Sequence, residues 1–160
     1  MADEEVIALG WQHRLMVRGA RLWWRVRRPR TLGVRAIVED GMGRILLVRH
    51  TYIDQWHLPG GGVRKWEATE AAARREVREE TGADAAIVRL HGVFHNRSQF
   101  KDDQVVVYVA RADGNVAPRG DGFEIAEARW FAAEATPDVG PATGRRLAEY
   151  RTGATAFGPW

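Results

Sequence analysis

Gly61-Gly62-Val63-Arg64-Lys65-Trp66-Glu67 followed by Arg75-Glu76-Val77-Arg78-Glu79-Glu80-Thr81-Gly82 decides the reading of this chain, because it places a run of carboxylates behind a glycine turn. Residues 68 to 81 are alanine-rich and free of glycine, and Gly82 supplies a stop, so the spacing predicts a helix over 68–81. On a helix, positions three and four apart share a face, so Glu76, Glu79 and Glu80 project together. Like charges at that spacing cost roughly 0.2–0.5 kcal/mol per pair when exposed. A divalent cation offsets that repulsion. A donor set made only of oxygen favours Mg²⁺ or Mn²⁺, which bind carboxylates, waters and substrate phosphates. The alternative is a solvated acidic face balanced by Arg74, Arg75 and Arg78.

The complete spacing has a further meaning. Gly61, five residues, Glu67, seven residues, then Arg75-Glu76-Val77-Arg78-Glu79-Glu80-Thr81-Gly82-Ala83 resembles the Nudix box of the MutT-like hydrolases, with Ala83 where a larger aliphatic residue is usual. At average abundances, chance produces this pattern in such a chain on the order of once in a hundred thousand. The flanks agree: Ile45-Leu46-Leu47-Val48-Arg49 reads as a buried strand, and Trp56-His57-Leu58-Pro59-Gly60-Gly61-Gly62 as the turn that commonly precedes the box.

The resemblance implies an α/β fold, an α/β/α sandwich with a mixed sheet. It also implies hydrolysis of a nucleoside diphosphate linked to another moiety, by water attacking phosphorus. Nucleotide sugars such as ADP-ribose and nucleoside triphosphates are the expected substrates; an RNA 5′ end or a nucleotide-sensing module that does not cleave are the alternatives. By the same resemblance, Glu76 and Glu80 are direct metal ligands. Glu79 is a third or is bound through water, the Gly60 carbonyl is a further donor, and Glu67 is a ligand to an additional metal or a partner of the helix charges. Arg75, four residues before Glu79, is expected to orient that carboxylate. The general base comes either from the box, as Glu79, or from a loop outside it, as Glu124 or Glu127.

Substrate contacts are expected from aromatic and basic groups outside the box. Arg49, Tyr52, Trp56 and His57 precede the glycine turn, and Arg97 and Phe100 lie in the polar stretch from His95 to Asp103. Trp56 reads as core at least as readily as ligand.

The 160 residues, 45% of them hydrophobic, suffice for one domain with a real core. There is no cysteine, which excludes disulfides and thiolate metal sites and suits a cytoplasmic location. The acidic start Met1-Ala2-Asp3-Glu4-Glu5 is unlike a secretory signal, and no apolar run approaches the ~20 residues of a membrane span. The net charge of +3 suits anionic ligands without selecting one.

Residues 1–30 form a basic segment, 31–151 the catalytic-type domain and 152–160 a loose tail. Within the first, Trp11 to Arg28 combines Leu15, Leu22, Trp23 and Trp24 with six arginines and reads as a basic amphipathic helix ended by Pro29. Membrane-surface anchor, nucleic-acid contact, dimerisation or substrate-covering arm, and plain packing on the sheet are all open for it. A homodimer is therefore open as well. Thr31–Glu39 and Arg44–Arg49 are expected to form a hairpin around Asp40-Gly41-Met42-Gly43. Ile87–Phe94, Gln104–Arg111 and Glu127–Phe131 are further strands. Thr143 is expected to cap a last helix reaching Tyr150, and Gly153 to Trp160 to fray.

Overall fold

The computed structural model describes residues 30–97, 102–114, 118–120 and 123–160. The amphipathic segment 11–28 and Phe100 lie outside them. In chain order the elements are β1 (Arg30–Glu39), β2 (Arg44–His50), β3 (Trp56–His57), α1 (Thr69–Thr81), β4 (Ala85–Asn96), β5 (Asp102–Ala112), β6 (Ile125–Ala132), α2 (Pro141–Arg151) and β7 (Ala156–Pro159). The strands make one mixed sheet in the order β3-β2-β1-β5-β4-β7, with β6 paired to β2. β1 runs parallel to β5 and β7 parallel to β4, while the other pairings are antiparallel.

Alternation along the strands divides the core into two layers, because successive side chains point to opposite faces. Ile37, Ile45, Leu47, Phe94, Val105 and Val107 pack with Leu147 of α2. Ala36, Val38, Leu46 and Ala110 pack with Val77 of α1. The sheet is thus sandwiched between the two helices, as the resemblance implies. Ala83 is buried in the second layer. The exit of α1 is held by Gly82, whose positive φ of 71° lets its N–H reach the Arg78 carbonyl, and by the Arg119 N–H on the Thr81 carbonyl.

The expected hairpin is present but short. Asp40 closes the turn by accepting from the N–H groups of Met42 and Arg44, both at 2.8 Å, and β1 meets β2 only at Val38–Leu46 and Glu39–Ile45. Beyond that point the strands part, and the segment 59–62 runs between them. The N–H groups of Val34 and Ala36 donate to the carbonyls of Gly61 and Pro59, each at 2.9 Å, and the Val63 N–H donates to the Leu32 carbonyl at 3.0 Å. Gly60 sits at φ 141°, and a Cβ there would lie 2.2 Å from the Val34 carbonyl oxygen. Only glycine fits.

Two expectations at the C-terminal end are corrected. Thr143 does not cap α2. Gly140 occupies the cap position and Pro141 opens the helix, while buried Thr143 accepts the Leu58 N–H on its hydroxyl at 3.3 Å. Proline suits that first turn because its missing N–H would have had no partner there. Nor does the tail fray. Ala156–Pro159 pairs with Gly92–His95, and the Trp160 N–H donates to the His95 carbonyl. Arg146 explains this order: it is 3% exposed, stacks 3.7 Å from the centre of the Phe94 ring, forks onto Glu149 and donates to the Pro159 carbonyl. Removing residues 156–160 uncovers Phe94 and one face of this buried cation. The truncated protein is expected to lose about 2 kcal/mol of stability, a drop of roughly 6 °C in Tm on a thermal melt.

Candidate functional site

The site is assembled where the glycine segment 60–62, threaded beside β1, meets the C-terminal half of α1. Gly61 allows close approach: a Cβ on it would stand 2.6 Å from the Glu76 carboxylate. Glu80, one turn further along α1, is 8% exposed and accepts the Gly60 N–H at 2.8 Å. A cavity of about 360 Å³ opens here. It is lined by the carboxylates of Glu76, Glu80 and Glu124, by His50, Tyr52, Ile53 and His57, and by Arg35 and Gly60–Gly62. Glu124 is brought in from the loop before β6 by the Thr51 N–H, which donates to its carbonyl at 3.0 Å.

Electrostatics set the character of this cavity. Burial pushes the Glu80 carboxyl up to about 7 and the charges of Glu76 and Glu124 add to the rise, against Arg35 and the Gly60 N–H, which pull it down. His57 is held below its ordinary value, mainly by burial and then by the charges of Arg35 and His50, and its buried Nε2 has no hydrogen-bond partner. His50 stands between Tyr52 and His57, with ring centres 5.2 and 5.7 Å away.

Arg75 organises the outer side of the cluster. Only 12% of its side chain is exposed. It donates from Nε and Nη2 to Glu67 at 2.7 and 2.9 Å, from Nη1 to Glu76 at 2.7 Å and to Glu79 at 3.0 Å, and from Nη2 to the Gly62 carbonyl at 3.0 Å. Hydrogen bonding to this guanidinium holds Glu67 down at about 2. Lysine has one ammonium and cannot span these acceptors. Arg75→Lys is therefore expected to cost about 2 kcal/mol by leaving partly buried acceptors unsatisfied, which a urea melt reads directly.

The structure brings some of the sequence-derived candidates together and separates others. Glu76, Glu80, Gly60, Glu124, Tyr52 and His57 share the cavity. Glu67 and Glu79 sit behind it on Arg75, and Glu79 also takes Arg64 at 3.2 Å. Glu127 is not part of the lining: it pairs with Arg49 at 2.6 Å and with Arg129 at 2.8 Å. Arg49 is thereby committed to Glu127 and lies over the ring of Trp56. Trp56 itself is a core residue, buried edge-on against Phe131 with ring centres 4.8 Å apart. Arg97 borders a separate groove beside Trp160.

Arg35, His50 and Ile53 were not among the candidates. Arg35 had a signal, a lone charge inside the apolar run Val34-Arg35-Ala36-Ile37-Val38. Its guanidinium donates to the carbonyls of Leu58 and Gly60, so it fixes the glycine segment from below. His50 and Ile53 carried none, because the sequence does not say which side chains at the end of β2 and in the loop after it face the cavity.

Among the described residues, no three His, Asp or Glu groups converge closely enough to hold a metal ion in this arrangement. Arg75 occupies part of Glu76, and the Gly60 carbonyl accepts from Arg35. The donor chemistry nevertheless fits a hard divalent cation. Oxygen donors line one cavity, and Glu80 is buried with a carboxyl whose ionisation nearby positive charge would favour. No helix of the described residues is long and apolar enough to cross a membrane.

Comparison with known proteins places these features. The family model described as "NUDIX domain" matches residues 29–150. The chain is 34% identical over 125 residues to the "Putative 8-oxo-dGTP diphosphatase" of Bacillus subtilis (strain 168), covering 78% of this chain and 82% of that protein. It is 39% identical over 92 residues to diphosphoinositol polyphosphate phosphohydrolase 2 of Rattus norvegicus, covering 56% of this chain and only 50% of that one. Among solved structures, the MutT NUDIX hydrolase from Burkholderia pseudomallei superposes with a TM-score of 0.63 at 29% identity, over 75% of this chain and 97% of that chain. Glycine segment, carboxylate helix and mixed sheet thus occur together with a family match across most of the chain: it belongs to the Nudix family and is a pyrophosphohydrolase acting on acid anhydrides.

Proposed function

We propose that this enzyme cleaves a phosphoanhydride in a nucleotide-type substrate, a nucleoside diphosphate linked to another moiety or a nucleoside triphosphate, with Mg²⁺ or Mn²⁺ as cofactor. The observation that carries this reading is the composition of one cavity. Carboxylates at Glu76, Glu80 and Glu124 share it with imidazole and phenol rings at His50, Tyr52 and His57. The first group suits a cation-bound phosphate chain, and the second suits a base or sugar. Glu76 and Glu80, with the Gly60 carbonyl, would hold the cation, and Glu67 and Glu79 would hold Arg75 in place or bind a second one. When bound, such a cation neutralises phosphate oxygens and makes a water acidic enough to attack.

The chain's own groups divide the remaining work. Arg35 holds the Gly60 carbonyl and contributes positive charge to the cavity. Tyr52, 68% exposed at the rim, offers a ring face to the organic group. His57, kept neutral at pH 7 by its lowered pKa, borders the cavity without adding charge to it. Glu124 is favoured over Glu79 as the general base. Glu79 is paired with two guanidiniums and is not part of the cavity lining, whereas Glu124 borders the cavity. The half-length match to a diphosphoinositol polyphosphate phosphohydrolase leaves these rings without a role, so a nucleotide is preferred.

The test is product release from nucleotide sugars, nucleoside triphosphates, dinucleotides and triphosphorylated RNA, each with Mg²⁺ and with Mn²⁺. One preferred substrate, lost on chelation and restored by metal, is expected. Full activity in excess chelator would refute the metal assignment, and silence across the panel would favour a sensing module. Glu124→Gln is expected to lower kcat by roughly 10²-fold and to flatten the acid limb of its pH profile, with Glu79→Gln milder. The reverse ranking would move the base back into the box.

A further inference from the structure

The α1 side of the sheet is covered unevenly. Ala72 and Ala73 of α1 bury Val34 and Val106. Beyond them, toward β4 and β7, register gives the positions that share this face. Val93 lies opposite Val106 and beside Phe157, Leu90 lies opposite Tyr108, and Leu32 stands two residues before Val34. Leu32, Leu90 and Val93 are 42%, 50% and 40% exposed, and Phe157 is 92% exposed. A groove of about 670 Å³ shares Val93 and includes His95, Gln104 and Pro159, the next positions on the same face. The opposite face is closed at this end, where Phe94 and Val105 are buried with Leu147 and Trp160 packs against them. An apolar strip confined to one face marks a surface that something covers.

The chain carries a stripe that matches it. Taken as a helix, residues 11–28 bring Trp11, Leu15, Leu22 and Val26 to one side, and Arg14, Arg18, Arg21, Arg25 and Arg28 to the adjoining one. Pro29 alone separates this segment from Arg30, where β1 begins, so its last turn is held within a few residues of Leu32. From β1 the face extends across β5 and β4 to β7, roughly 14 Å at three strand spacings. A helix of this length runs about 27 Å and reaches the whole strip. The tether also favours it over any separate molecule, because it sets an effective concentration on the order of millimolar.

We propose that the segment Trp11–Arg28 of the same chain docks by its apolar stripe on Leu32, Leu90, Val93 and Phe157, beside α1, and leaves its arginines in water. The stripe is then withheld from membranes and from other copies of the chain. What the segment offers to solvent is a row of cations.

The full chain has no cysteine, so Thr155→Cys, an exposed position before β7, takes a single nitroxide. The label is expected to broaden the amide signals of Leu15 and Leu22 within its own chain. Broadening seen only when labelled chains are mixed with isotope-enriched chains lacking the label would give the face to a second copy and overturn the inference. Hydrogen exchange supplies an independent readout. Amides 15–26 are expected to exchange at least about tenfold faster in the Leu90→Asp/Phe157→Asp double variant, while amides of β1 and β5 keep their native rates. If the two charges unfold the sheet, Leu90→Ser/Phe157→Ser is expected to raise the same rates with the strands intact. Rates for 15–26 that are already fast in the native chain, or that neither variant changes, would show that the segment does not dock here. A shift of native tryptophan emission on adding phosphatidylserine vesicles would give the stripe to a membrane and overturn the inference as well.

Discussion

Glu80→Gln is expected to lower kcat by roughly 10³-fold while making the metal-free protein more stable at pH 8. The two effects have one cause. Glu80 is almost fully buried, and desolvation lifts its carboxyl to about 7 from an ordinary value of 4.5. The folded chain therefore holds the proton more tightly than the unfolded chain, and folding stability falls as the pH rises from about 4.5 through about 7. Above that window the full penalty applies, about 3 kcal/mol for a shift of this size. Glutamine keeps the acceptor for the Gly60 N–H and removes the charge. At pH 8 in chelator the variant is expected to melt several degrees higher than the native protein, and at pH 4 the gap closes. Saturating Mg²⁺ reverses the order, because the cation stabilises only the native carboxylate. Turnover falls because charge stabilisation of several kcal/mol acts on the transition state more than on the bound substrate, so KM moves far less than kcat. A variant that melts lower than the native protein at pH 8 in chelator would show that Glu80 is buried for stability and not for a cation.

The second large effect belongs to adjacent glycines that fail in different ways. Gly60→Ala is expected to cost about 3 kcal/mol or to prevent folding. Its Cβ would collide with the backbone carbonyl of Val34 at a φ of 141°, and backbone on backbone leaves nothing to rotate away. Gly61→Ala meets only the end of the Glu76 side chain, which can swing aside. That variant should fold with a Tm close to native and lose most of its activity, because the displaced carboxylate is one of those proposed to hold the cation. Circular dichroism melts beside metal-dependent turnover distinguish the pair. Equal losses of stability would contradict this account of how the glycine segment seats the helix.

The helix, its glycine stop and its acidic face were legible because they are local: a spacing of three and four residues needs no knowledge of the rest of the chain. The longer strands were legible for the same reason, through alternation, to within two or three residues of their ends, whereas Trp56–His57 was read as part of a turn. The C-terminal strand was not. Ala156-Phe157-Gly158-Pro159 has no alternation, two residues unfavourable in strands and an exposed phenylalanine, so nothing local distinguishes it from a tail. It is ordered by β4 on one side and by the buried stack of Arg146 on Phe94, contacts made across the fold.

The division runs through the site as well. Gly61, Glu67, Arg75, Glu76, Glu79 and Glu80 fixed the family and the oxygen-donor chemistry by spacing alone. Which of them face one cavity was a tertiary matter. Glu124 and Glu127 are equivalent in sequence, yet Glu124 borders the cavity and Glu127 is held by Arg49 and Arg129. Trp56 and Tyr52 are both aromatics before the turn, yet one is core and the other rim. Arg35 acts on residues far along the chain. Short-range spacing is fixed by the 3.6-residue period of a helix and by turn stereochemistry, and a single sequence carries both. Partners between distant segments depend on how strands line up in the sheet and which faces become buried, and only the folded chain sets those.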